Sequence, residues 1–367
     1  MKFVIERGVL VAALTRAGKV VRRGNTIPIL DNVKLVAKQD SLILETNDID
    51  SGFIVTAPAA VAKPGGTTVN VRALAAFIAL VPDGAQVECE TDAAKGRLIV
   101  RAGRSNAKLA TLPVEDFPAA PHHTEAVELT IGGKDLAQAL GRVVHAISNE
   151  ETRYYLNGVY MHAAEGSMKF VATDGHRLAL ASIAITGDLP EFVPPIIPRA
   201  AVTELLALAG AAETIDLEIS ATRIKVAIPG TVYVSKLIDG TFPDYDRVIP
   251  RELKNSFETG RVELVEAARR VAVISEQLKT GRAIKITTSK GLLTLNGHSD
   301  GGEIEDEIEA RTDGTETVLG CNVAYLVNAL DAFAGGPVHC KYDGGSPMVF
   351  TQPGDDGHMQ IVMPMRV

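Results

Sequence analysis

The chain contains no tryptophan in its 367 residues, and phenylalanine and tyrosine bring the aromatic content to only 5%. Val, Ile, Leu and Ala must therefore fill its cores, a bias that suits strands and alanine-rich helices. Long apolar runs are missing too. The best, Ala73 to Val81, is about half of the roughly 18 residues that a membrane helix needs. Val9 to Leu14 is apolar, but Glu6 and Arg7 interrupt any secretory-signal pattern. Cys89, Cys321 and Cys340 are scattered without metal-ligand spacing and read as reduced thiols in or near the core. These absences point to a cytoplasmic protein.

Catalytic signatures are absent as well. There is no G-x-x-x-x-G-K-[ST] loop, no strand-linked G-x-G-x-x-G, no H-E-x-x-H and no G-x-S-x-G. The eight histidines show no pairing beyond His122-His123, which lies in a linker. Asp48-Ile49-Asp50 could be a paired-carboxylate site, but 126 positions later its counterpart is Asp174-Gly175-His176, which loses one carboxylate. A turn after a strand is the better reading. Asp174, His176 and Arg177 form a polar handful with no Ser or Cys nucleophile in a partnering motif. Nothing nominates a reaction, a metal or a cofactor.

What the chain does have is repetition. Phe3-Val4-Ile5 opens a segment with apolar residues at Leu10, Leu14, Ala17 and Val21. Leu129-Thr130-Ile131 opens another, with Leu136, Leu140, Val143 and Ile147, displaced by 126 positions. Phe257-Glu258-Thr259 opens a third, with Leu264, Ala268, Val271 and Ser275, displaced by 254. Steps of three and four mark one face of a helix, and the preceding alternation marks a strand. Leu42 to Asp48 overlies Met168 to Asp174 at the first offset, and Leu293-Thr294-Leu295 fits the third copy after a three-residue deletion. Second helices are expected near 72–81, 199–209 and 322–333, with alternating strands such as Gln86–Glu90 and Asp216–Ser220 between them. A period this long suits whole domains rather than a solenoid. The expected division is 1–122, 123–250 and 251–367, in an α+β architecture of helices and antiparallel sheets. Pro118 to Thr124 and Ile249 to Leu253 serve as linkers, too short and too poor in Gly and Ser to be loose tethers. Glu303 to Glu309 reads as a loop or strand edge rather than a metal site.

The formal charge of −8 is unevenly spread. Residues 1–122 hold 15 Lys/Arg against 12 Asp/Glu, 123–250 hold 10 against 16, and 251–367 hold 12 against 17. The acidic total alone argues against nucleic acid, but fields are local within a Debye length of about 8–10 Å. Arg16, Lys19, Arg22 and Arg23 in the first copy, Arg142 in the second, and Arg269 and Arg270 in the third fall off or beyond the apolar stripes. Arg72 and Arg199 open second helices. A basic side shared by every copy suggests a phosphate-facing surface.

Several blocks together carry a family resemblance. Thr26-Ile-Pro-Ile-Leu-Asp-Asn32, Arg153-Tyr-Tyr-Leu-Asn-Gly158, Ala172-Thr-Asp-Gly-His-Arg-Leu178, Ser235 to Tyr245 and Val362-Met-Pro-Met-Arg366 occur in order along the whole chain. The chain resembles the bacterial DNA sliding clamps, the beta subunits of DNA polymerase III. The resemblance implies three domains of one clamp fold and a head-to-tail homodimer, with helices lining a channel around double-stranded DNA and sheets outside. It implies sequence-independent DNA contact by Arg22, Arg23, Arg72, Arg142, Arg199, Arg269 and Arg270, with Tyr154 and Tyr155 near the rim. Glu150 stands where relatives commonly carry Gln. Ring closure would bring Val273 and Ile274 against the edge strand Arg104 to Leu109, with Ala107 and Leu109 projecting. Val273 lies nearly opposite Leu264 on the helical wheel, so an apolar residue sits on a face that should be polar.

The resemblance also implies a groove for short linear motifs carrying a Gln and a terminal Leu/Phe pair. These would come from the replicative polymerase alpha subunit, the clamp loader, and translesion and repair polymerases. Its walls would be Arg153, Leu156, Thr173, Gly175, His176, Arg177, Leu178, Pro243, Arg247, Val248, Ser346, Met348, Ile361, Met363, Pro364, Met365 and Arg366. Methionine is adaptable, and suits a pocket that must accept several sequences. Two other readings stay open on the residues: an enzyme using Asp174, His176 and Arg177, and a repeat scaffold that binds only proteins. Threefold copying speaks against the enzyme, since one catalytic site seldom needs three copies of a scaffold.

Overall fold

A computed structural model describes residues 1–119, 125–185, 190–275 and 283–366. The linker expected over 118–124 thus falls partly outside the described residues. Six helices fall where the periodicity places them: α1 (Arg7–Ala17), α2 (Val71–Ala79), α3 (Gly133–Val143), α4 (Arg199–Ala209), α5 (Arg261–Ser275) and α6 (Val323–Asp331). The starts of α1, α3 and α5 are separated by the same 126 and 254 positions as the sequence repeat. Local chemistry fixes several starts. The Glu6 carboxylate accepts from the Val9 N–H at 2.9 Å. Asn70 accepts from the Ala73 N–H at 3.0 Å, and Asn322 from the Ala324 N–H at 2.9 Å. Each thus satisfies one of the donors that a helix start leaves open.

The chain divides into two compact units, Met1–Ile131 with Ala212–Leu237, and Gly132–Ala211 with Ile238–Val367. In the first, strands order as Val127–Gly132, Thr214–Ile219, Arg223–Ile228, Thr231–Lys236, Ser51–Pro58, Ser41–Asn47, Asn32–Lys38, Gly65–Asn70, Ser105–Leu112, Arg97–Ala102, Gln86–Asp92, Lys2–Glu6 and Ala60–Lys63. In the second, one sheet runs Ile196–Pro198, Gly158–Ala164, Ser167–Thr173, Arg177–Ala184, Asp355–Val362, Met348–Gln352, Pro337–Tyr342, Asn255–Gly260 and Arg311–Asp313. A four-stranded sheet there runs Gly302–Glu309, Leu292–Ser299, Ala283–Ser289 and Thr317–Asn322. Neighbouring strands such as Ser167–Thr173 and Arg177–Ala184 pair antiparallel, and the fold is α+β.

Helices bury one face on these sheets. Leu10, Leu14 and Ala17 of α1, with Phe3, Leu35, Leu42 and Leu44, are all but closed to solvent. Leu264, Ala268 and Val271 of α5 join Phe257, Leu295, Leu326 and Phe350 in a second core. Each buried leucine contributes about 2 kcal/mol by removal from water. Cys89, Cys321 and Cys340 are free and buried, and burial pushes the Cys89 and Cys321 thiols up to about 12. They are inert packing groups.

The sheets are joined across repeats by one device used twice. In the first unit Ser51 pairs with Ser235, Phe53 with Tyr233, and the Lys236 N–H reaches the Asp50 carbonyl at 2.8 Å. In the second unit Arg177 pairs with Val362, and the Met363 N–H reaches the His176 carbonyl at 2.9 Å. Asp50 and Ser51 are the repeat equivalents of His176 and Arg177, so the two joints are copies of each other.

Candidate functional site

The second joint gathers most residues of the expected groove. Thr173, at the end of its strand, donates its hydroxyl to the Arg177 carbonyl at 2.7 Å and accepts from the Gly175 N–H at 3.1 Å. The Asp174 carboxylate accepts from the backbone N–H groups of His176 and Arg177 at 2.9 and 3.1 Å and pairs with the Arg177 guanidinium at 3.0 Å. Gly175 takes a φ of +86°. A Cβ built there would come within 2.6 Å of the movable end of Arg153, so the backbone conformation is what favours glycine. Arg153 is itself held by Glu150 through two bonds of 2.7 and 2.6 Å. Glu150 therefore orients a groove arginine. The polar handful Asp174, His176 and Arg177 is consumed in holding a turn.

The C-terminal segment lies against this loop. After the Met363 bond to His176, the Met365 N–H donates to the Gly320 carbonyl at 2.8 Å. The backbone is thus fixed while Pro364 and Arg366 stay exposed and both methionines half-exposed. Tyr325, absent from the sequence expectations, completes the wall. The His176 ring stacks on it at 6.1 Å between centroids, and the Arg177 guanidinium lies 4.5 Å from its centroid. Its only sequence signal is an aromatic ring at a helix start in an aromatic-poor chain. Pro243, Arg247 and Val248 are exposed, with Arg247 bonded to Asp244 at 2.8 Å, and Ser346 is half-exposed. Leu156, Leu178 and Ile361 are almost fully buried in one apolar cluster beneath these residues, so they would floor the expected groove rather than wall it. Met348 is corrected as a wall residue: it is 1% exposed and packs in the core beneath α5 and α6, so like Ile361 it lies under the surface.

Behind the groove runs a buried polar chain with one consistent hydrogen-bond direction. Arg177 lies 3.4 Å from His145 Nδ1, His145 Nε2 lies 3.1 Å from the Gln360 oxygen, and the Gln360 amide reaches His358 Nε2 at 2.7 Å. The same amide donates to the Arg142 carbonyl at 2.8 Å. This order needs a neutral His145 protonated on Nε2. Burial, then the Arg177 charge, pushes His145 down to about 4. Burial, then Arg142 and His145, pushes His358 down to about 3.

The expected DNA-facing cations are mostly occupied. Arg142 is corrected: its side chain is 13% exposed and paired with Asp355 at 2.5 Å, so it serves the fold. Arg72 donates to the carbonyls of Val21 and Arg22, and Arg199 donates to the Ile147 carbonyl at 2.6 Å. Val21 and Ile147 are repeat equivalents. The two arginines thus tie each second helix to the end of the first, and their primary role is structural. Arg269 pairs with Asp331 at 2.8 Å and Arg270 with Asp306, though both remain exposed. Arg22 pairs with Asp48 at 3.0 Å and Arg23 is exposed. Tyr154 is exposed and packs edge-on against Tyr155 at 5.9 Å. The expectation of one basic side in every copy is corrected as well. The outward residues of α1, α2 and α4 are mainly short: Gly8, Ala12 and Thr15, then Ala73, Ala76 and Ala79, then Ala200, Thr203 and Ala207.

Comparison with known proteins decides the family. Models described as the N-terminal, central and C-terminal domains of the DNA polymerase III beta subunit match residues 1–121, 130–244 and 246–366. The chain belongs to the DNA polymerase III beta subunit family. It is similar to the beta sliding clamp of Caulobacter vibrioides, 35% identical with both chains fully covered. It is likewise similar to that of Pseudomonas aeruginosa, 31% identical with both fully covered. A Caulobacter crescentus clamp crystal structure, described with PEG bound to a putative beta-motif tethering region, matches at a TM-score of 0.94 and 35% identity over 100% of this chain and 99% of that one. A Pseudomonas aeruginosa clamp bound to griselimycin matches at 0.95 and 30% identity, with both chains fully covered.

As a family member the chain is a DNA sliding clamp, a non-catalytic processivity factor whose partners are DNA and a polymerase. The enzyme reading is thereby set aside. Among the described residues no helix is long and apolar enough to cross a membrane. Several strands are open along part or all of one edge among the described residues, and two of them are eight residues long. Gly302–Glu309 pairs only with Leu292–Ser299. Ser105–Leu112 pairs with Arg97–Ala102 along most of its length, but meets Gly65–Asn70 only at Leu112 and Thr111. Val273 is 61% exposed on α5, which packs on Gly302–Glu309, while Ile274, Ala107 and Leu109 are half-exposed.

Proposed function

We propose that this clamp closes as a ring-shaped homodimer around double-stranded DNA and holds its partners by short linear motifs in the groove beside Met363 and Met365. The repeat carries the closure. Ser51–Pro58 plus 251 positions is Gly302–Glu309, and Ser105–Leu112 plus 126 begins at Thr231, the first residue of Thr231–Lys236. The two free edges are therefore the repeat equivalents of strands already joined once inside the chain. Transferring the register of that joint sets Gly302 of one copy opposite Leu109 of the other, Glu303 opposite Lys108, and Ile304 opposite Ala107. It brings Glu307 toward Arg104 as well. Charges and apolar groups match along the seam without adjustment, and edge strands of this length otherwise invite uncontrolled pairing. Val273 and Ile274 would flank the seam as the apolar contact.

The DNA role rests on the family and on the helix faces. Short outward side chains with cations such as Arg22, Arg23, Arg269 and Arg270 at their margins offer a smooth surface without base-reading groups. Phosphate contact of this kind carries no sequence information, as an object that slides requires. The groove reading rests on a fixed backbone that presents adaptable methionines, and on His176, Arg177 and Tyr325 stacked in one wall. A motif peptide carrying Gln and Leu-Phe would set its apolar end over Leu156, Leu178 and Ile361.

The experiment is a solution mass with a fluorescent motif peptide. The account expects twice the 38.9 kDa chain mass. It also expects saturable peptide binding that weakens at least tenfold, about 1.4 kcal/mol, in Met365→Ala. A monomer, or peptide affinity unchanged in the folded variant, overturns the corresponding half.

A further inference from the structure

The same sheet face carries a second cleft, beyond the connector that follows Pro243. Residues Ile249 to Lys254 line one side, and the strand residues His339, Lys341, Val349, Thr351 and Met359 the other, around a volume of about 520 Å³. Its base is apolar: Ile249, Leu253 and Met359 pack on the cluster of Leu156, Leu178, Val349 and Ile361 that floors the groove. Its rim is cationic. Arg251, Lys254 and Lys341 are exposed and His339 is half-exposed, against Glu252 alone among the lining acids. Nearby carboxylates leave most of that charge in place: Asp343 stands 3.8 Å from Lys254, and Glu258, across the sheet from His339, is taken up by Arg311 at 3.5 Å. A concentration of cations over an apolar floor stands out in a chain of net charge −8.

Register connects this cleft to the groove. Leu178 pairs with Ile361, Ile361 with Val349, and Val349 with Lys341, so four adjacent strands place these side chains in one row. Three strand spacings separate the ends, about 14 Å, which four or five extended residues span. We propose that the cleft takes an acidic peptide segment bearing one large apolar side chain, continuous with the linear motif seated in the groove. The inference rests on the groove reading. The apolar side chain enters between Leu253 and Met359 while carboxylates meet Arg251, Lys254 and Lys341. Partners would then be graded by the sequence flanking their motif, and the gain would fall with salt because the cations are exposed.

The test compares four fluorescent peptides: the core motif, the motif extended by Asp-Leu-Glu-Asp on either side, and the acidic segment alone. One extension should tighten binding about fivefold at moderate salt, as a few surface charge pairs allow. The double variant Arg251→Glu, Lys341→Glu should abolish that gain and leave the core motif unchanged; both positions are exposed, so the fold is spared. Asn-Leu-Gln-Asn extensions should give no gain. Equal affinity of extended and core peptides, or a gain that survives the double variant, overturns the inference. If the core motif itself fails to bind, the groove reading falls. The acidic segment alone then decides the cleft, supporting it if its binding disappears in the double variant and overturning it if it never binds. A fluorescent oligothymidine weakened by the double variant, with every peptide unaffected, would assign the cleft to nucleic acid and overturn it as well.

Discussion

Two residue-level features each cost stability, one only in acid. His145 and His358 are neutral when folded, pushed down to about 4 and about 3, from the 6.5 they approach when unfolded. The unfolded chain thus binds more protons below pH 6.5. Stability is full above that pH and falls with acidity until the folded imidazoles titrate, by about 1.4 kcal/mol per pH unit for each. Urea unfolding between pH 7 and 5 should show this slope, and His358→Gln should make it shallower; an equal slope in the variant would remove His358 from the account. Ile49 is the other feature. It occupies the repeat position of Gly175 and holds a φ of +79°, which a β-branched residue adopts only under strain. Its side chain is exposed, so no packing is lost on removing it. Ile49→Gly should stabilise the chain by about 1 kcal/mol, strain relief exceeding the added backbone entropy. A lower urea midpoint would contradict that. The turn at Asp48 was legible from sequence because its copy carries a glycine. The histidine chain was not, since His145, His358 and Gln360 lie far apart along the chain and only strand pairing brings them together.

Among the elements, helices were the most legible, because the three- and four-residue spacing of Leu10, Leu14 and Ala17 survives in every copy. The direction of the arginines was not. A basic residue off an apolar stripe can reach solvent or fold back on the protein; Arg72 and Arg199 fold back on carbonyls and Arg142 on the Asp355 carboxylate. Arg72→Ala and Arg199→Ala should therefore cost about 1–2 kcal/mol of stability each by stripping donors from carbonyls at the ends of the first helical segments. In contrast, Arg23→Ala, at an exposed position, should leave stability unchanged and reduce the salt slope of DNA binding. An unchanged slope would move the DNA contact elsewhere. The free edges make a sharper prediction. Lys108→Glu should give folded monomers in sedimentation, and Glu303→Lys in the same chain should restore the dimer. Failure of the double variant to recover would show that the seam has another register.

For the whole molecule, composition excluded much and identified little; repetition and a few ordered blocks carried the recognition. The three family models and the repeat agree on three copies of one domain, yet the strands of the second copy are shared between two compact units. That sharing was invisible in the sequence because it depends on which strands pair across copies, as Ser51–Pro58 does with Thr231–Lys236. The same pairing rule, applied once more between two chains, is what the proposed ring closure requires. Encirclement is the central claim, and retention on DNA of different topology tests it most directly. Clamp assembled by a clamp loader on a nicked circle should remain bound through a high-salt wash and be lost when the circle is cut once to a linear form. Equal retention on circular and linear DNA, or loss from both in salt, would contradict the account.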